Sequence, residues 1–151
     1  MREIKLTRGK VALVDDEDFE YLNQWKWQAT IRKKGSYVSK TGGARMHNMI
    51  MNPPKGLEVD HADRDGFNNQ KFNLRFASRA ENNSNQGIRV DNTSGLKSVT
   101  WHKRIKKWQV RLQKEGKRMH LGYYNTKEEA AKVYNEMAKK QHGQFAYLNT
   151  I

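Results

Sequence analysis

At 151 residues the chain has room for one ordinary domain or two small ones, and a hydrophobic share of 36% excludes a single large core. Its 29 basic residues against 16 acidic ones give a net charge of +13. With no basic amphipathic helix bearing a broad apolar face, that balance points to nucleic acid rather than membrane. No apolar run approaches the ~20 residues a membrane span needs, and the lack of cysteine excludes disulfides and thiolate zinc sites.

The N-terminus, MREIKLTRGK, lacks the apolar segment of a signal peptide, so a reducing cytoplasm is the expected location. Ile4 and Leu6, then Arg8-Gly9, then Val11 and Leu13 predict a small hairpin. Asp15 and Asp16 precede Phe19 and Leu22, which predicts a short helix capped by acidic residues. Trp25, Trp27, Ala29 and Ile31 alternate with polar residues and predict a half-buried strand, with both tryptophans in the core. Arg32-Lys33-Lys34-Gly35 reads as a turn, Ser36 to Lys40 as a partner strand, and Thr41-Gly42-Gly43 as a loop. Arg45 to Met51, which carries His47, leads into Pro53-Pro54, where any helix must end.

The stretch from Leu57 to Asn85 holds the densest chemistry. Leu57-Glu58-Val59 alternates and predicts a short strand running into Asp60-His61. Ala62 to Lys71 reads as a loop, Phe72 to Ala77 as a second strand, and Ser78-Arg79-Ala80-Glu81 as a capping box that opens a helix. Asn82 then falls on the first helical turn, where it can face back toward Asp60 and His61. The Asp60 carboxylate and the Asn82 amide oxygen are hard ligands that leave several positions open. That suits Mg2+, or alternatively Mn2+, shared with a substrate phosphate. His61 follows Asp60 in the strand, so its ring leaves on the opposite face; an ordinary pKa of ~6.5 fits a general base at neutral pH. Asn73 is placed to hydrogen-bond across the loop and orient that ring. Asn68, Asn69 and Asn83 read as turn formers.

These residues together resemble the HNH nuclease family, whose signature is a ββα-metal unit. The matching pieces are Val59-Asp60-His61, Asn68-Asn69, Asn73-Leu74-Arg75 and Glu81-Asn82, within roughly Arg45 to Asn85. The resemblance implies a single divalent metal, a histidine base and hydrolysis of a phosphodiester bond to 5′-phosphate and 3′-hydroxyl ends. By position His61 looks like the base, Asp60 and Asn82 like the metal ligands, and Asn73 like the asparagine that braces the loop. The family often carries a histidine where His47 stands, close to the active site; a buried structural histidine is the equal alternative. Some relatives are propped by a cysteine-held zinc, and this chain departs from that pattern.

Gln86-Gly87 to Asn92-Thr93-Ser94-Gly95 is polar and turn-rich and reads as a linker that can lie along DNA through Arg89. From Gly95 to Ile151 there are 13 basic and 4 acidic residues. Val99 and Trp101 alternate with Thr100 and His102. Lys103 to Lys107 form a basic turn that includes Arg104. Trp108, Val110 and Leu112 alternate with Gln109, Arg111 and Gln113. Glu115-Gly116 turns the chain, and Met119 and Leu121 alternate with Arg118 and His120. Three strands, each with one apolar and one polar or basic face, follow from this pattern. Thr126 to Glu129 is a second capping box, opening a helix with Ala130, Tyr134, Met137, Ala138 and Gln141 on one face and ending at Gly143. The helix covers the apolar side of the sheet and leaves the basic side open.

This second part resembles the plant ethylene-response-factor type of DNA-binding domain through Lys107-Trp108, Leu121-Gly122-Tyr123-Tyr124, Glu129-Ala130-Ala131, Tyr134 and Gly143 to Asn149. The resemblance implies DNA reading by the open sheet face, which gives Thr100, His102, Arg104, Lys107, Gln109, Arg111, Gln113, Arg118 and His120 as contacts, with Arg89 on the linker. Together the two parts resemble the mobile, homing-type endonucleases of phage genomes, which implies action in a host cell cytoplasm. The expectation is an α+β protein: a nuclease domain at 1–85, a linker at 86–94 and a DNA-binding domain at 95–151. It would cut double-stranded DNA with one divalent metal, with no membrane and no obligatory protein partner. The alternatives are a catalytically inactive DNA-binding regulator and an RNA binder that stacks bases on Trp101, Tyr123 and Tyr124.

Overall fold

The computed structural model describes residues 1–32, 35–114 and 116–151; the predicted turns at Lys33-Lys34 and Glu115 fall partly outside the described residues. The chain is α+β, with small antiparallel sheets. It divides into two compact units, Met1–Arg79 and Ala80–Ile151.

In the first unit the predicted hairpin is β1 (Arg2–Lys5) paired with β2 (Val11–Val14). Alternation places Ile4, Ala12 and Val14 on its buried side. Helix α1 (Asp16–Leu22) follows and buries Leu22. Asp15 precedes it but does not cap it through its side chain. A second hairpin joins β3 (Trp27–Arg32) to β4 (Gly35–Lys40). Trp27 and Ala29 are buried there, whereas Ile31 is exposed near the hairpin end. Helix α2 (Met46–Met51) stops before Pro53, where the helical region is disfavoured, with Asn52 in the left-handed region that asparagine tolerates. Ile4, Leu6, Ala12, Val14, Leu22, Trp27, Ala29, Val38 and Met46 form one continuous core. A third hairpin, β5 (Glu58–His61) with β6 (Leu74–Ala77), sets Asp60 opposite Arg75 and His61 opposite Leu74.

The second unit begins at Ala80, within α3 (Arg79–Asn85). The Lys97 ammonium donates to the carbonyls of Ser84 and Gln86 at 2.6 and 2.5 Å, and Ser84 Oγ lies 3.2 Å from His142 Nδ1, which fastens the end of the helix to this unit. Residues 86–94 are also held: Asn92 Nδ2 donates to the Leu96 carbonyl, Gly95 N donates to Asn92 Oδ1, and Ser94 is buried. The sheet runs β7 (Val99–His102), β8 (Lys107–Lys114), β9 (Lys117–Tyr124). Helix α4 (Lys127–His142) packs Ala130, Tyr134 and Ala138 on Val99, Val110 and Leu112. It starts at the predicted capping box, with Thr126 Oγ1 accepting from Glu129 N and Thr126 N donating to the Glu129 carboxylate. Gly143 ends it. Asn149 bonds Lys97 and Asn135 through both its amide group and its backbone, securing the C-terminal segment.

Candidate active site and nucleic-acid face

The loop between β5 and β6 is a hydrogen-bonded body. Asn73 Oδ1 accepts from Asp63 N at 3.0 Å, and its Nδ2 donates to Asp63 Oδ1 and to the Asn68 carbonyl. Asp63 also accepts from Asp65 N and Asn68 Nδ2. The N-terminal segment grips the same loop from outside. Leu13 N donates to the Phe67 carbonyl and Asn69 N to the Leu13 carbonyl, at 2.9 and 2.8 Å. The Asp15 carboxylate accepts from Gln70 Nε2 and Lys71 N. Asp15 therefore spends its oxygens on a loop 55 residues downstream and not on α1. Gly66 approaches β4 so closely that a Cβ there would sit 1.7 Å from the Ser36 carbonyl oxygen.

His61 leaves this scaffold at the end of β5. Its Nε2 is 3.3 Å from Asn69 Oδ1, which makes the fully buried Asn69 a partner of the ring; Asn73 braces the loop backbone. Burial lowers the His61 pKa, against the opposing pull of the Asn69 hydrogen bond and of Asp63, Asp60 and Asp65. Across from it, on α2, His47 stands edge-on with ring centroids 5.0 Å apart. His47 is buried and its Nδ1 has no hydrogen-bond partner. Burial first, then the nearby His61 and Arg45, pushes its pKa down to about 3. A neutral ring follows at physiological pH. The two histidines called from separate parts of the sequence thus meet in one place.

Asp60, 5% exposed, receives Arg75 Nε and Nη2 on the same oxygen, at 2.9 and 2.7 Å. A carboxylate so placed would be costly without a partner, and Arg75, opposite it in the register, supplies one. Among the described residues no group of three or more His, Cys, Asp and Glu side chains is arranged to hold a metal. The hard oxygens here, the Asp60 carboxylate and asparagine amides, are of the type a divalent ion completed by water and phosphate would accept. Asn82 lies on α3, in the second unit.

The sheet of the second unit separates its faces by register. Thr100, Gln109 and Tyr123 stand in one row across the three strands; Arg111 faces His120 and Gln113 faces Arg118 on the same side. Lys107 pairs with His102 at the edge, and Arg104 is exposed in the intervening turn. Two features of this face escape strict alternation. The register slips at Val110/Arg111, so that Leu121 and Gly122 both turn coreward and Tyr123 emerges on the open face. There it receives Gln109 Nε2 at 3.1 Å and packs against His102 and His120, with ring centroids 5.4 and 4.6 Å away. Gln109 is consequently buried. Trp101, Trp108 and Tyr124 form the row on the other side, so the three aromatics that would stack RNA bases do not share a face. Arg89 forks onto the Asp91 carboxylate at 2.9 and 3.0 Å.

Over 93 residues the chain is 37% identical to Protein 3.8 of Escherichia phage T7, an alignment covering 62% of this chain and 76% of that protein. The chain belongs to the family of that phage protein. A more distant relative, the Uncharacterized HNH endonuclease L560 of Acanthamoeba polyphaga mimivirus, is 28% identical over 151 residues, 95% of this chain and 77% of the viral protein. No family profile matches this member of the Protein 3.8 family, and no solved structure matches it either. No helix among its described residues is long and apolar enough to cross a membrane.

Proposed function

We propose that the chain is a metal-dependent HNH endonuclease that hydrolyses phosphodiester bonds of double-stranded DNA. A distant viral relative named an HNH endonuclease supports the nuclease family. The observation that carries the reading is the placement of His61, held by the buried Asn69 and adjoining Asp60 at the end of one strand. His61 takes a proton from the attacking water. Asp60 and, by the sequence resemblance, Asn82 would hold one Mg2+ or Mn2+. Such an ion would supply charge stabilisation to the scissile phosphate and the leaving oxygen. Asn73 keeps the loop in shape, and His47, neutral and buried, packs the His61 ring from the side. Arg75 balances the Asp60 charge.

The functional segments are the nuclease at 1–85, the connecting stretch at 86–94 and a DNA-binding part, similar to the ethylene-response-factor type, at 95–151. In the last, Thr100, His102, Arg104, Lys107, Arg111, Gln113, Arg118 and His120, with Arg89 before them, lie along the duplex, and the buried Gln109 supports Tyr123 behind them. Nicking of supercoiled plasmid with Mg2+, and its loss in EDTA and in Asp60→Ala and Asn82→Ala, tests the reading. Cleavage that proceeds equally in EDTA overturns it. Binding of duplex DNA without cleavage under any divalent metal would favour a regulator.

A further inference from the structure

We propose that Asn69 is a positioning residue that sets the tautomer of His61, keeping the proton on Nε2 and the lone pair on Nδ1. The inference rests on the reading of His61 as general base for its consequence in catalysis, but not for the tautomer itself.

The amide of Asn69 has only one workable orientation. Its Nδ2 lies 3.3 Å from the Gly66 carbonyl, which can only accept, so that end must be the NH2 group. Turning the amide over would set two oxygens against each other and leave the NH2 facing His61. The oxygen therefore points at the ring, 3.3 Å from Nε2. A carbonyl oxygen only accepts, so in the neutral imidazole Nε2 carries the hydrogen and Nδ1 the lone pair.

The rest of the loop makes this arrangement stiff. Asn69 is fully buried, and its backbone N–H is held by the Leu13 carbonyl at 2.8 Å. The Gly66 carbonyl that selects the amide orientation belongs to a residue pressed against the Ser36 backbone. Neither partner of the amide can drift independently. His47 closes the side of the ring edge-on and offers a T-shaped contact, which restricts rotation of His61. Asn73 performs none of this, since its side chain is committed to Asp63 and Asn68.

The test is the 15N spectrum of the imidazoles in uniformly labelled, full-length protein at pH 8.5. The His61 signals are assigned by their disappearance in His61→Ala. The expected wild-type spectrum has a pyrrole-type Nε2 and a pyridine-type Nδ1. Asn69→Leu removes the acceptor and should shift the signals toward the averaged values of mixed tautomers, while lowering kcat by about 10- to 100-fold, the scale on which second partners of a reacting histidine act, with KM unchanged. A wild-type ring protonated on Nδ1 overturns the proposal even if Asn69→Leu fails to fold. So does an Asn69→Leu spectrum identical to wild type. Should the tautomer change while the cleavage rate does not, Asn69 is confirmed as the positioning residue and His61 is not the base.

Discussion

In the loop between β5 and β6, polar side chains bind one another: Asp63 to Asn73 and Asn68, Asn69 to Gly66 and His61, Asp15 to Gln70 and Lys71. On the sheet of the second unit, Thr100, Arg111, Gln113 and Arg118 stand exposed, while Gln109 and Tyr123 are joined to each other and to the rings of His102 and His120. The difference suits the two kinds of work proposed for these regions. A reacting group must be held to a fraction of an ångström before substrate arrives. A surface that meets phosphates gains from charges that reach outward and adjust. The first region should therefore answer to changes in geometry, and the second to changes in charge.

The largest effect separates the sheet's two sides. Leu112→Ala, at a residue 2% exposed, should cost about 2–5 kcal/mol, seen as a lowered urea midpoint of the second unit. Gln113→Ala next to it, on the exposed side, should change that midpoint little. Comparable losses at both positions would erase the division between core and open face.

His61→Ala should slow plasmid cleavage by a factor on the order of 10² or more, with duplex affinity in a gel-shift titration unchanged. Wild-type cleavage by this variant would remove the loop from the chemistry altogether.

Arg111→Ala addresses the surface. As a base contact it carries roughly 1–3 kcal/mol of discrimination at one target position. As a phosphate contact it weakens all sequences alike and reduces the salt slope by about one. Its place beside His120 in the centre of the face favours the base contact. Binding to single-base target variants at several salt concentrations decides between the two.

The smallest effect tests the buried histidine. With His47 at about 3 folded and near ~6.5 unfolded, the unfolded chain binds the extra proton between those values. Stability from this group is complete above ~6.5 and is lost as pH falls toward 3. Between pH 7.5 and 5.5 the loss is about 1.4 kcal/mol. Urea unfolding at the two pH values should show at least that loss in wild type, since burial lowers His61 as well, and a smaller loss in His47→Phe. The same difference in both would mean His47 is not kept neutral.

Most strands, and α4 with its cap and its glycine stop, could be read locally, because alternation and capping are properties of neighbours in sequence. The strand that ends in Asp60-His61 was legible for the same reason. What local reading missed depended on partners far along the chain. Asp15 has the sequence of a helix cap, yet its carboxylate is claimed by Gln70 and Lys71. Asn69 looks like a turn former beside Asn68, and only burial against Leu13 makes it the partner of His61. The doubled asparagine was the available signal, since a turn needs one of them. Tyr123 falls with the core under strict alternation, and the slip at Leu121 turns it outward. Arg75 showed no sign of its bond to Asp60 until the register set them opposite.

The contact of Gly66 with Ser36 makes the loop a gauge for its own composition. Even an alanine there must lift the loop by about 1.7 Å or more to reach an ordinary contact distance, starting from 1.7 Å, and displacements on the order of 1 Å can cost a reaction 10²-fold. The missing side chain at this position, five residues from His61 and without chemistry of its own, thereby limits which sequences and lengths the loop can take. A graft of this loop into another scaffold would have to carry the facing edge of β4 with it.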